Sequence, residues 1–210
     1  HPLVGKTVML PMLSLLEPRA DGRGRLGAAD WEGQVVVLAL FKAADGAGVE
    51  ALPRLAAALE PLAAAGVTVV AVGERDSPDA VAAAVAKLSP RPVVAVDQAG
   101  NLETVVGKPT LPACLVIDRE GRVAGVLPGG AEGIEAVRAR VADVVERSRN
   151  VAKEFAALAA ARKAALAEDR GCLEALGRLL GAESETVRRR SGTLLRQLTG
   201  LSAADMPFKP

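Results

Sequence analysis

Hydrophobic positions along this chain follow two rhythms, and their order lays out the architecture. From Gln34 to Phe41 the apolar residues do not alternate, which suits a strand covered on both faces, as in a parallel sheet. A small-residue turn follows. The spacing then predicts a helix from Gly46 to Ala65, with Val49, Leu52, Leu55, Leu59 and Leu62 on its buried face. Pro53 lies inside that pattern and should kink it. Gly66 ends the helix, and Val67–Val72 reads as a second buried strand. Strand, helix and strand at this spacing make a right-handed β-α-β unit.

Ser77 is a candidate N-cap with Pro78 at the first helical position; Val81, Val85 and Leu88 form the stripe of that helix, and Pro90-Arg-Pro92 stops it. Pro92–Asp97 reads as a short strand and Gly100–Val106 as a short helix. Ala113–Asp118 turns tightly through Arg119-Glu-Gly121 into Arg122–Leu127, an antiparallel hairpin. Pro128-Gly-Gly130 is a break. Before the first core strand, residues 1–33 read as a lead-in arm. Val8–Leu16 is broken by Pro11, Asp21-Gly-Arg-Gly24 is a turn, and Leu26–Gly33 is a short helical turn.

From Ala131 onward the rhythm is helical. Ile134, Val137, Val141, Val144, Ser148, Val151, Phe155 and Leu158 form a heptad-like seam. Arg138, Arg140 and Arg147 crowd one end of it, which favours one long helix packed on its own chain over a dimeric zipper. Glu168-Asp-Arg-Gly171 interrupts, two shorter helices follow at Cys172–Leu180 and Ser184–Leu198, and Leu201–Pro210 reads as a loose tail.

Composition narrows the function classes. Half of the 210 residues are apolar, but Trp31 is the only Trp, with three Phe and no Tyr, so stacking on single-stranded nucleic acid is disfavoured. A net charge of +1 supplies no field for nucleic acid or an anionic membrane. No apolar run is long enough to predict insertion into a membrane. Cys114 and Cys172 form no C-x-x-C, and with one histidine no zinc site is expected; no other cofactor is expected either. The glycines at 46, 48, 129 and 130 match no phosphate-cradling motif. The chain begins with His1, which fits either a removed signal peptide or a trimmed terminus.

Several pieces then fall into a familiar order. Asp30-Trp-Glu-Gly-Gln-Val-Val-Val-Leu38 leads into the first strand. Gly66–Val72 is the second strand. Val106-Gly-Lys-Pro-Thr-Leu-Pro-Ala-Cys-Leu-Val-Ile-Asp118 precedes Arg119-Glu-Gly-Arg-Val123. From about Leu26 to Gly130 the chain resembles the TlpA-type, AhpC/TSA-like branch of the thioredoxin/redoxin family. Asp45-Gly-Ala-Gly48 stands where that family carries C-x-x-C, and Pro53 stands at the family's helix proline. The resemblance implies an α/β fold, a thioredoxin-like three-layer α/β/α sandwich over residues 1–130 with an α-helical extension over residues 131–210. It also implies a cis bond between Leu111 and Pro112, with that proline facing the 45–48 turn and its backbone offered to an extended partner segment. Ala175 to Gly200 is similar to one HEAT-type helical repeat.

The departures decide the functional expectation. Asp45 and Gly48 occupy the redox positions, and a carboxylate cannot form a mixed disulfide. No catalytic residue is therefore assigned. The expected function is a non-catalytic protein-binding or scaffolding module, using Asp45, Gly46, Gly48, Leu111 and Pro112. One alternative is a divergent thiol-disulfide oxidoreductase or peroxidase working through Cys114 or Cys172. A second is a structural assembly subunit that oligomerises through its C-terminal helices. Asp45 reads as a helix N-cap or, with Lys42, as a titrating group in the cleft. Cys114 reads as a core residue, Cys172 as a packed thiol, and Arg188-Arg-Arg190 as a solvated face. The family's usual setting implies a periplasmic or exported protein.

Overall fold

In the computed structural model, residues 2–90, 92–167, 169 and 171–200 are described. The expected loose tail from Leu201 lies outside them, as do Arg91 and, in the break before Cys172, Glu168 and Arg170. By its contacts the chain divides into two compact units, His1–Arg147 and Ser148–Pro210.

The first unit is built on a seven-stranded sheet. In chain order its strands are β1 (Leu13–Leu15), β2 (Arg25–Leu26), β3 (Val35–Phe41), β4 (Val67–Glu74), β5 (Val93–Asp97), β6 (Ala113–Ile117) and β7 (Val123–Pro128). They lie side by side in the order β2-β1-β5-β4-β3-β6-β7. β3, β4 and β5 are parallel, with Val35 opposite Val67 and Phe41 opposite Gly73. β6 runs antiparallel to β3, and β7 closes the expected hairpin. Every residue of β3 is buried, as its unbroken apolar run predicts.

Helices α1 (Gly46–Leu59), α2 (Pro78–Val85) and α4 (Ile134–Arg147) cover one face, and α3 (Asn101–Val106) with the lead-in arm covers the other. Val35, Val37, Ala39 and Phe41 feed the first core; Val36, Leu38 and Leu40 feed the second, together with Trp31. This is the three-layer α/β/α sandwich.

Three local readings change. The helix predicted to Ala65 is α-helical only to Leu59 and continues as a 3₁₀ helix over Glu60–Ala65, because Pro61 at its start has no N–H to extend the α ladder. The lead-in arm is part of the sheet: Leu13 pairs with Leu26, and Ser14 with Val96. The long seam helix is two helices. α4 ends at Arg147, Ser148 leaves helical geometry at φ −100°, ψ 18°, and α5 (Arg149–Leu166) begins after it. The seam parts there: Ile134, Val137, Val141 and Val144 belong to the sheet core, whereas Phe155 and Leu158 pack with α6 (Gly171–Leu179) and α7 (Glu185–Thr199). The contact boundary accordingly falls after Arg147, where the sequence reading had placed it after Gly130.

In the second unit Leu176, Val187 and Leu195 complete the core of α5, α6 and α7. Glu154 of α5 accepts hydrogen bonds from the main-chain N–H groups of Glu183 and Ser184, and Ser184 caps α7 through Val187 N. Arg188 and Arg189 are exposed, as a solvated run should be, and Arg188 also donates to the carbonyls of Ala182 and Glu183.

Candidate functional site

The C-terminal ends of the parallel strands are where an open α/β sheet offers a crevice. β3 leaves the sheet at Phe41 and turns through residues 42–45 into α1. Two contacts hold that turn from the β4 side: Lys42 Nζ donates to the main-chain oxygen of Glu74, and Ala43 N–H donates to Asp76 Oδ2 at 2.7 Å. Within the turn, Asp45 N–H donates to Lys42 O at 3.0 Å.

Asp45 is the N-cap of α1, with φ −90°, ψ 90°, and its main-chain oxygen accepts Val49 N–H at 3.0 Å. Its carboxylate makes no capping hydrogen bond. The side chain lies instead over Gly48. A Cβ on Gly48 would stand 2.7 Å from Asp45 Oδ2, 3.2 Å from Asp45 Cγ and 3.2 Å from Pro112 Cβ. Glycine at 48 therefore leaves the space in which the Asp45 side chain rests against the first turn of α1. Gly48 is buried, whereas Gly46 is exposed and opens onto free space.

Pro112 follows a cis bond from Leu111. Its carbonyl is engaged by Gly129 N–H at 2.8 Å, which ties the end of β7 to the start of β6. The Leu111 side chain is half-buried against the second core. Among the described residues, nothing hydrogen-bonds to the Leu111 main chain. The structure thus brings Asp45, Gly48 and Pro112 together, sets exposed Gly46 beside them, and leaves the Leu111 backbone unpaired next to the proline.

Cys114 does not join this cluster. Cys114 lies opposite Ala39 with its side chain in the core beneath α1 and α4, fully buried, and burial pushes its pKa up to about 12. Cys172 is 5% exposed, and both thiols are free. Lys42 does not pair with Asp45; it is spent on Glu74.

Glu74 lies beyond the strand that the apolar run predicts, Val67–Val72, because β4 continues two residues further. It is fully enclosed, and neither carboxyl oxygen has a hydrogen-bond partner. Its register partner across the sheet is Asp97, whose Oδ2 is already engaged by Leu102 N–H at 2.6 Å. Burial first, then the charges of Asp97 and Glu103, raise its pKa to about 7 against an ordinary 4.5. Lys42 and the Glu103 amide oppose that shift without reaching hydrogen-bond geometry to the carboxyl. The signal was present: two neighbouring apolar strands each end in an acidic residue, Glu74 and Asp97.

The AhpC/TSA family profile matches residues 10–126. Among solved structures, the fold is shared with a Plasmodium vivax 2-Cys peroxiredoxin at 15% identity and TM-score 0.58, covering 70% of this chain and 99% of that one. It is shared with a thioredoxin-family thiol:disulfide interchange protein from Chlorobium tepidum at 18% identity and TM-score 0.51, covering 67% and 98%. A secreted Mycobacterium tuberculosis disulfide oxidoreductase homologous to E. coli DsbE aligns at 20% identity and TM-score 0.50, covering 63% and 95%. No curated protein sequence matches the chain. None of these likenesses supports the HEAT-type reading of Ala175–Gly200.

Proposed function

Because this chain belongs to the AhpC/TSA family yet carries Asp45 and Gly48 in place of a cysteine pair, we propose that it is a redoxin-fold binding module that holds an extended segment of a protein partner. The observation that carries this reading is that Pro112 approaches Gly48 closely, where a Cβ would stand 3.2 Å from the Pro112 Cβ, beside the unpaired Leu111 backbone. The Leu111 main-chain donor and acceptor are left for a passing strand to take beside Pro112, and the two redox positions hold a carboxylate and a glycine. A thioredoxin-like exchange needs a thiolate at residue 45, where this chain has a carboxylate.

Two measurements test it. Insulin reduction by the full chain, supplied by a thioredoxin reductase, should stay at the no-enzyme background; turnover abolished by Cys114→Ser or Cys172→Ser would overturn the reading in favour of a divergent oxidoreductase. A displayed random-peptide library panned on the full chain should yield extended peptides that bind wild type and lose at least tenfold in affinity on Gly46→Trp. A Cβ at Gly46 meets nothing within 4 Å, so the substitution adds bulk beside Asp45 from an open position. Peptides indifferent to Gly46→Trp would count against the cleft.

An assembly role through the C-terminal helices has one observation in its favour: Leu166, Leu173 and Leu198 are exposed at 88%, 38% and 44%. Light scattering that returns a dimer or larger, reverting to monomer on Leu173→Lys with Leu198→Lys, would support it. An exported or periplasmic location accords with the fold shared with a secreted protein, and fractionation of cells producing the natural chain would check it.

A further inference from the structure

The least comfortable group in the first unit is the Glu74 carboxyl. It has no access to solvent and no hydrogen-bond partner, a combination that costs a neutral acid far less than an anion. The charged groups around it are unevenly distributed. Asp97 from β5 and Glu103 from α3 add negative charge; Lys42 from the turn after β3 is the cation in reach. The two residues that follow it are engaged elsewhere. Arg75 pairs with Glu103 at 2.8 Å, and Asp76 accepts Ala43 N–H. Arg75 sits at φ 54°, in the left-handed region that a non-glycine residue seldom adopts, so the segment leaving Glu74 is itself held under strain.

Lys42 links this acid to the cleft. Its ammonium bonds the main-chain oxygen of Glu74, while its own carbonyl accepts from Asp45 N–H. We propose that Glu74 is a proton-operated latch on the cleft: neutral, it leaves Lys42 on the main chain and the 42–45 turn fixed; ionised, it draws the ammonium to its side chain and releases the turn that carries Asp45. The release follows from charge. An anion formed between Asp97 and Glu103 has Lys42 as its neutralising partner, and from its place on the carbonyl Lys42 makes no hydrogen bond to the carboxyl, so it must move to serve it. Burial and the two neighbouring carboxylates bring the transition to about pH 7. The latch regulates the same cleft proposed above and rests on that reading for its biological meaning.

The test is a pH titration of the isotope-labelled full chain by NMR, between pH 5 and 9, in wild type and Glu74→Gln. The amides of Ala43, Asp45, Gly46 and Gly48 should shift together with a midpoint near 7 in wild type and lose that transition in the variant. An imidazole ordinarily titrates in this range as well, and any such effect would survive Glu74→Gln. A transition unchanged in the variant overturns the latch, as does a wild-type turn that does not respond. Should Glu74→Gln not fold, the side-chain carboxyl carbons of wild-type glutamates decide instead: one must titrate near 7, and a full set titrating near 4 overturns the proposal. Binding of the selected peptides, followed over the same range, separates the two readings. A turn that titrates while no peptide binds at any pH removes the binding function and leaves the latch; peptides that bind while the turn stays still remove the latch alone.

Discussion

At the scale of single residues, the chain keeps two carboxylates at one end of its sheet under opposite conditions. Asp45 is half-buried at the mouth of α1, and Glu74 is sealed beneath the neighbouring strand end. The second makes stability depend on pH with a definite sign. Its folded-state pKa, about 7, lies above the ordinary 4.5, so the folded protein holds the proton more tightly than the unfolded chain. The stabilisation is complete below about pH 4.5, declines as pH rises toward 7, and is gone above that. A shift of this size corresponds to roughly 3 kcal/mol. Urea melts followed by Trp31 fluorescence should therefore show wild type losing about that much between pH 4.5 and 8 relative to Glu74→Gln, in which the dependence flattens. Equal slopes for the two proteins would mean that Glu74 is solvated in solution.

At the scale of elements, β3, its turn and α1 form the unit that the sequence exposed best, and the reason is local. An unbroken apolar run, small residues and Pro53 all sit within one stretch of chain, so no distant contact is needed to read them. What the same stretch concealed is what faces the turn from elsewhere: Glu74, Asp76 and Pro112 reach it only through the sheet. The seam helix was misread for the same reason. Its three-and-four spacing runs without a gap through Ser148, and the two helices show in the break of backbone geometry there and in the different cores on either side. If the turn truly keeps its redox geometry, restoring sulfur should restore pairing. A Cβ at 48 stands 3.2 Å from Asp45 Cγ, close enough for two sulfurs to meet. Residue 45 also caps a helix of 14 residues whose dipole would favour a thiolate. The double variant Asp45→Cys with Gly48→Cys should therefore form an intramolecular disulfide in air. The intact mass should fall by two hydrogens per chain, and insulin reduction should rise above the parent's background. A dithiol that stays reduced would show the frame to have drifted.

At the scale of the whole chain, the question is where the redoxin unit ends, and α4 answers it. The resemblance stops near Gly130 and the family match at residue 126, so a chain cut after Gly130 looks sufficient from sequence. Packing argues otherwise. Ile134, Val137, Val141 and Val144 lie in the same core as Val35, Val37 and Phe41, and Val137 and Val141 have no exposure at all. Removing α4 strips part of the cover from the face it shares with α1 and α2. Four such side chains are worth about 1.5–3 kcal/mol each, on the order of 6–12 kcal/mol together, before ordering costs. That rivals the ~5–15 kcal/mol that holds a domain folded. A chain ending at Arg147 should accordingly melt cooperatively with buried Trp31 emission, while one ending at Gly130 should lack a cooperative transition and aggregate. If the shorter chain melted as well as the longer, α4 would be an accessory, and the boundary would belong at the glycine pair after all.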